Sequence, residues 1–168
     1  MPVVRRAKLL DAQHLANIHE QAWLNAYRGI LPGVDLARAI SRRHANWWEA
    51  ALRQNRGILV LEANGTLAGY STFGPTRYSN LSYEGEVYEF YILPTHQGLG
   101  FGRHFFSETL SDLAKHGLSG VITRVLTANE PAIAFYKAMG GREVGQSEDR
   151  FGRETVPTVV FAWPRHGG

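Results

Sequence analysis

Glu86-Val87-Tyr88-Glu89-Phe90-Tyr91-Ile92-Leu93-Pro94-Thr95-His96-Gln97-Gly98-Leu99-Gly100-Phe101-Gly102-Arg103 changes its local rule twice. Up to Leu93 it is dense in aromatic and β-branched side chains, which favour a strand. Pro94 ends that strand because it has no N–H for a ladder. Three glycines then alternate at 98, 100 and 102. Beyond them Phe105, Phe106, Leu110 and Leu113 recur at helical spacing, predicting a helix that closes near Gly117. Val121 to Leu126 is again β-branched and apolar, so a second strand follows. A strand, a helix and a strand in that order predict a right-handed parallel crossover.

Working outward, a short apolar strand opens the chain near Pro2 to Arg6. Asp11 is placed to cap a helix carrying Leu15, Ile18, Ala22 and Ala26, which stops before Pro32. Arg28 to Gly33 reads as a loop, and Ser41 as the cap of a second helix bearing Trp47, Trp48, Ala51 and Leu52. Gly57 to Glu62 and Thr66 to Phe73 are strands joined through Asn64-Gly65, a strong hairpin signal because both residues tolerate positive φ. Gly74-Pro75 breaks the second of these, and a polar loop runs to Glu84. Toward the end, Asn129 and Pro131 start a helix with Ile133, Ala134 and Tyr136 that stops at Gly140-Gly141. A hairpin then pairs Arg142 to Gly145 with Thr155 to Trp163. The expectation is a mixed α/β fold in a single domain over 1–168, its sheet largely antiparallel with one parallel pair.

Composition narrows the function classes. Hydrophobic residues make up 44% and charged residues 20% of 168, ordinary for a globular domain. The net charge of +3, from 18 Lys and Arg against 15 Asp and Glu, is too small and too scattered to argue for nucleic acid. It still favours a polyanionic ligand. Without cysteine there is no disulfide, no thiolate metal site and no thiol nucleophile. The seven histidines show no ligand spacing, so no metal is expected. No apolar run approaches the ~20 residues that span a bilayer, and the first residues lack an apolar leader core. A cytoplasmic enzyme without a membrane partner is the expectation. The apolar stretch Val159 to Trp163 allows a homodimer without requiring one.

The glycines carry the chemistry. Missing side chains let a backbone approach a ligand closely, and the free N–H groups of a helix's first turn attract anions, aided by the dipole. The same three glycines also suit a plain tight turn. The spacing is neither G-x-G-x-x-G nor a P-loop.

Ile92-Leu93-Pro94 ahead of Gln97-x-x-Gly100-x-Gly102 closely resembles the acetyl-CoA motif of the GNAT superfamily of N-acetyltransferases. The stretch Asn129-Glu130-Pro131-Ala132-Ile133-Ala134-Phe135-Tyr136-Lys137-Ala138-Met139-Gly140 is similar to a later helix of the same family. Ala22 to Pro32 resembles the first-helix signature of one subgroup. The element order matches over essentially the whole chain. Two departures stand out: Gly141 where Phe is common, and Tyr88-Glu89 where small or apolar residues often sit.

The resemblance implies that coenzyme A lies between parallel strands that splay apart, here those ending near Leu93 and Leu126. Pantetheine would pair with the backbone of Ile92 and Leu93. The pyrophosphate would sit on the N–H groups of Gln97, Gly98, Leu99, Gly100, Phe101, Gly102 and Arg103, the last also adding charge. Asn129 would bond to pantetheine or cap its helix. Tyr136 would give a proton to the leaving thiolate, or else be a core tyrosine. Glu86 matches an acidic position that would help deprotonate the amine; alternatively Glu89 or water takes the proton. Trp23, Tyr27 and the loop from Arg28 to Gly33 would border the acceptor, or pack as core. The reaction implied is acetyl transfer from acetyl-CoA to a primary amine of a small molecule by direct attack. Acetylation of a protein amine and a non-catalytic acyl-CoA-binding domain are the alternatives.

Overall fold

Asn64 and Gly65 both take positive φ, 55° and 79°, and so turn the chain tightly between two strands. Built outward from that hairpin, a computed structural model describes residues 2–54, 56–78, 82–98 and 100–164. The elements are β1 (Val3–Arg6), α1 (Ala12–Tyr27), α2 (Gly33–Ser41), α3 (Ala45–Arg53), β2 (Gly57–Ala63), β3 (Thr66–Pro75) and β4 (Gly85–Ile92). They continue with α4 (Phe101–Lys115), β5 (Val121–Leu126), α5 (Glu130–Ala138), β6 (Arg142–Phe151) and β7 (Glu154–Trp163). Short 3₁₀ turns sit at Leu9–Asp11 and Pro94–His96. The sheet has seven strands in the order β1-β2-β3-β4-β5-β7-β6. Only β4 and β5 pair in parallel among the described ladders; β1 with β2, β5 with β7 and β6 with β7 are antiparallel. The mixed, largely antiparallel α/β fold is therefore as expected.

Two compact units divide the described chain: one runs to Thr72 and includes Phe90–Phe106, the other comprises Phe73–Glu89 and the chain from Ser107. In the first, Leu15 and Ile18 of α1, Trp48 of α3, Ile58 and Val60 of β2 and Tyr70 of β3 form one buried cluster. Each such side chain contributes roughly 1.5–3 kcal/mol by leaving water. Trp48 is fully buried and meets Trp47 and Tyr70 edge-on, so Trp48 is core and Trp47, half-buried, packs against it. In the second unit Ile122, Val160 and Ala162 form a cluster on which Tyr78 and Tyr83 pack. Val159 to Trp163 are all buried within this chain, so their apolarity needs no second copy to explain it.

Local expectations were corrected at three places. Residues 33–41, read only as far as Gly33 and as loop, form the helix α2. Ser41 ends that helix rather than starting one, its hydroxyl donating to the Arg38 carbonyl at 2.8 Å, and His44 precedes α3. Asp11 precedes α1 without capping it by its side chain. Its carboxylate accepts instead from the Lys8 amide at 2.7 Å and from Arg5 at 2.9 and 3.1 Å. The bidentate pair with Arg5 holds the carboxylate toward β1 and away from the first turn of α1.

Candidate functional site

In the first unit the junction between β4 and α4 is held by its own side chains. The Leu93 amide donates to the Ala68 carbonyl at 2.8 Å, and the His96 amide returns to Leu93 at 2.9 Å. Gln97 Nε2 donates to the Ile92 carbonyl at 2.7 Å. The Ile92 carbonyl and the Leu93 amide and carbonyl, expected to meet pantetheine, thus already have partners here, the carbonyls keeping a second lone pair each. Gln97 acts on this turn through its side chain.

Gly98 and Gly100 then adopt φ of 79° and 78°, the left-handed region that favours glycine. A Cβ at either position would meet nothing within 4 Å, so the backbone is bare on that side. Leu99 lies outside the described residues. At the start of α4 the His104 amide donates to the Gly100 carbonyl at 3.4 Å. The amides of Phe101, Gly102 and Arg103 precede that bond and have no intrahelical acceptor. Arg103 and His104 are exposed beside them. Bare backbone, first-turn amides without intrahelical acceptors and a helix dipole make an anion cradle.

Also in this unit, Asn25 of α1 donates to the Tyr91 hydroxyl of β4 at 2.8 Å. Burial raises the Tyr91 pKa, partly offset by that bond. A cavity of about 470 Å³ opens between α1 and α2, bounded by Glu20, Leu24, Arg28, Leu36, Ala37 and Ile40. Glu20 and Leu24 are four residues apart and so share one stripe of α1, with Arg28 just past the helix end. The loop residues Arg28, Gly29, Leu31 and Gly33 line the same cavity. Trp23 stacks between His19 and Tyr27, with ring centroids 5.1 and 4.8 Å away.

In the second unit Tyr136 lies on α5 with 6% of its surface exposed, against Phe161 and Trp163 of β7. Burial pushes its pKa up to about 12, less a contribution from a hydrogen bond with Thr123 that lowers it. A phenol so placed keeps its proton through the neutral range. Asn129 Oδ1 accepts from the Ala132 amide at 3.2 Å, so it caps α5.

Glu86 is in the same unit with no exposed surface. Its Oε2 lies 2.7 Å from Arg77 Nη2, and its Oε1 accepts from the Arg77 main-chain amide at 3.0 Å. Arg124 stands 3.9 Å away and bonds to Asp149. Two guanidinium groups thus face two carboxylates. A proton acceptor turned toward an amine was expected at Glu86; the structure instead spends both of its oxygens on Arg77. The register places Glu86 beside Ile122 and Val87 beside Thr123, so successive β4 residues look to different partners.

Sequence reasoning missed Arg77, Arg124, Thr123 and Asn25. Arg124 alone left a signal, being a charge inside the otherwise uncharged Val121–Leu126 strand. Among the described residues no group of three metal-ligating side chains converges, and no helix is long and apolar enough to cross a membrane.

Comparison with known proteins follows the same lines. The model of the acetyltransferase (GNAT) family matches residues 16–140. The chain is 30% identical over 166 residues to YuaI of Bacillus subtilis (strain 168), an uncharacterized N-acetyltransferase, covering 98% of this chain and 94% of that protein. It is 26% identical over 153 residues to the L-amino acid N-acyltransferase MnaT of Escherichia coli (strain K12), covering 89% and 87%. The yncA structure from Salmonella typhimurium, solved with its cofactor acetyl-CoA, shares the fold with a TM-score of 0.70 over 99% of this chain and 95% of that one at 23% identity.

Proposed function

Because the chain belongs to the acetyltransferase (GNAT) family, we propose that residues 1–168 act as one catalytic domain that acetylates a primary amine of a small molecule. The enzyme is an acetyl-CoA-dependent N-acetyltransferase. The observation that carries the coenzyme assignment is the bare left-handed backbone at Gly98 and Gly100 directly ahead of α4. The pyrophosphate rests on the amides of Gly98, Gly100, Phe101, Gly102 and Arg103, with Arg103 supplying charge. Pantetheine runs along Ile92 and Leu93, using the carbonyl lone pairs that Gln97 and His96 leave open. Asn129 contributes by holding the first turn of α5.

The chemistry needs two proton movements. The amine nitrogen attacks the thioester carbon, the C–N bond forms, and the C–S bond breaks. The thiolate takes a proton from the Tyr136 hydroxyl, and the nitrogen gives one up to water. Glu86 anchors the segment that follows β3 through Arg77, and it does not accept the proton itself. With no cysteine in the chain, direct attack is favoured over a thioester-linked acyl-enzyme.

For the acceptor, the α1–α2 cavity offers a ligand-sized space with an apolar floor and few polar groups. Glu20 at its rim complements an ammonium, and Leu24, Leu36 and Ile40 suit an apolar side chain. A small amino acid fits that lining, and one relative is an L-amino acid N-acyltransferase. A cytoplasmic setting suits a donor that is a metabolic thioester.

Calorimetry with acetyl-CoA tests the coenzyme site. Gly100→Ala should abolish most binding, whereas Gly29→Ala, equally left-handed at φ 83° and equally bare, should keep it. Each costs roughly 1–2 kcal/mol of backbone strain. Equal affinities in both variants would refute the assignment.

A further inference from the structure

The parallel ladder between β4 and β5 registers Gly85 with Val121, Glu86 with Ile122 and Val87 with Thr123. At that third pair a side chain enters the bonding. Thr123 Oγ1 donates to the Val87 carbonyl at 2.9 Å, and Thr123 is 2% exposed. The Thr123 side chain is also hydrogen-bonded to the Tyr136 hydroxyl. A threonine hydroxyl has one proton and two lone pairs. Val87, being a carbonyl, takes that proton while the phenol is neutral, so Tyr136 then donates its own to Thr123; once the phenol ionises, Thr123 turns its proton to the phenolate, and this stronger charged bond is why Thr123 lowers the phenol pKa.

We propose that Thr123 is a positioning residue for Tyr136, holding the phenol oxygen over the Val87–Thr123 pair and receiving its proton until the thiolate needs it. The inference rests on the reading of Tyr136 as the proton donor. Phe161, which pairs with Thr123 across β7, packs its ring 6.1 Å from that of Tyr136 and leaves the hydroxyl as the part to be fixed. Before coenzyme binds, Thr123 spares a buried hydroxyl the cost of having no partner. During transfer the phenol O–H bond breaks and an S–H bond forms. Thr123 can then turn its own proton from the Val87 carbonyl to the phenolate, which solvent later reprotonates.

The test compares Thr123→Val, which keeps shape and loses the hydroxyl, with Thr123→Ser, which keeps the hydroxyl. Thr123→Val should lower kcat by about 10-fold or more, with the acetyl-CoA KM within about twofold, and Thr123→Ser should restore most of it. In a Tyr136→Phe background Thr123→Val should cost nothing further. Wild-type kcat in Thr123→Val, or an equal loss in both backgrounds, would overturn the proposal. A second readout separates it from the acid assignment. The absorbance titration of Tyr136, obtained by difference from Tyr136→Phe, should move upward in pH in Thr123→Val and not in Thr123→Ser. No movement refutes the contact even if Tyr136→Phe proves fully active. If Thr123→Val does not fold, Thr123→Ala carries both readouts.

Discussion

A Cβ at Gly141 would lie 2.7 Å from Cζ2 of Trp163, so the indole fills the space a side chain at 141 would need. The indole N–H donates to the Met139 carbonyl at 3.0 Å, and the Gly141 amide to the Tyr136 carbonyl at 2.9 Å. A bulky residue is common at this position in the family; here β7 supplies the bulk. Gly141→Ala should therefore destabilise by about 1–3 kcal/mol, or about 2–4 °C of Tm per kcal/mol. Trp163→Phe in the same background should recover part of the loss. An unchanged Tm for Gly141→Ala would contradict this packing.

The Glu86–Arg77 pair gives a second prediction. Glu86→Gln keeps the shape but removes the charge that two guanidinium groups face, so stability should fall by about 1.5–3 kcal/mol. Its kcat/KM should keep the wild-type dependence on pH. A loss concentrated at neutral pH, and recovered at high pH where the amine is already free, would instead make Glu86 the base.

Ala37 tests the acceptor cavity. An indole there, in Ala37→Trp, should fill much of the space between α1 and α2. The amine KM should rise about tenfold or more, the effect of losing uniform binding, with acetyl-CoA affinity unchanged. An unaltered amine KM would place the acceptor elsewhere.

The Tyr136 phenol predicts a stability change with a definite sign. Its folded pKa is pushed up to about 12, above the ordinary value of about 10. The folded state thus holds the proton more tightly than the unfolded chain does. That contribution is complete below about pH 10 and is lost as pH rises toward about 12. Thermal melts of the wild type should fall over this window more steeply than those of Tyr136→Phe. Parallel curves would mean that Tyr136 is not buried as described.

What the sequence revealed was what depends on local rules. Asn64-Gly65, Pro94 and the alternation of glycines at 98, 100 and 102 each act through backbone geometry, and the turn, the strand end and the start of α4 fell near where they pointed. Helix α2 was hidden because Gly33 opens it straight after Pro32 and its apolar stripe is short. Partners brought together from a distance were illegible. Arg77 reaches Glu86 and Asn25 reaches Tyr91 only through the fold.

Turnover tests the central claim most directly. The purified protein is incubated with acetyl-CoA and a panel of amino acids and small amines, and both free thiol and acetylated amine are measured. The account predicts stoichiometric thiol and N-acetylated product with at least one amine of small apolar side chain. In Tyr136→Phe, kcat should be lower by about 10²-fold at little change in coenzyme affinity. Coenzyme binding without acetylation of any amine in the panel would contradict it.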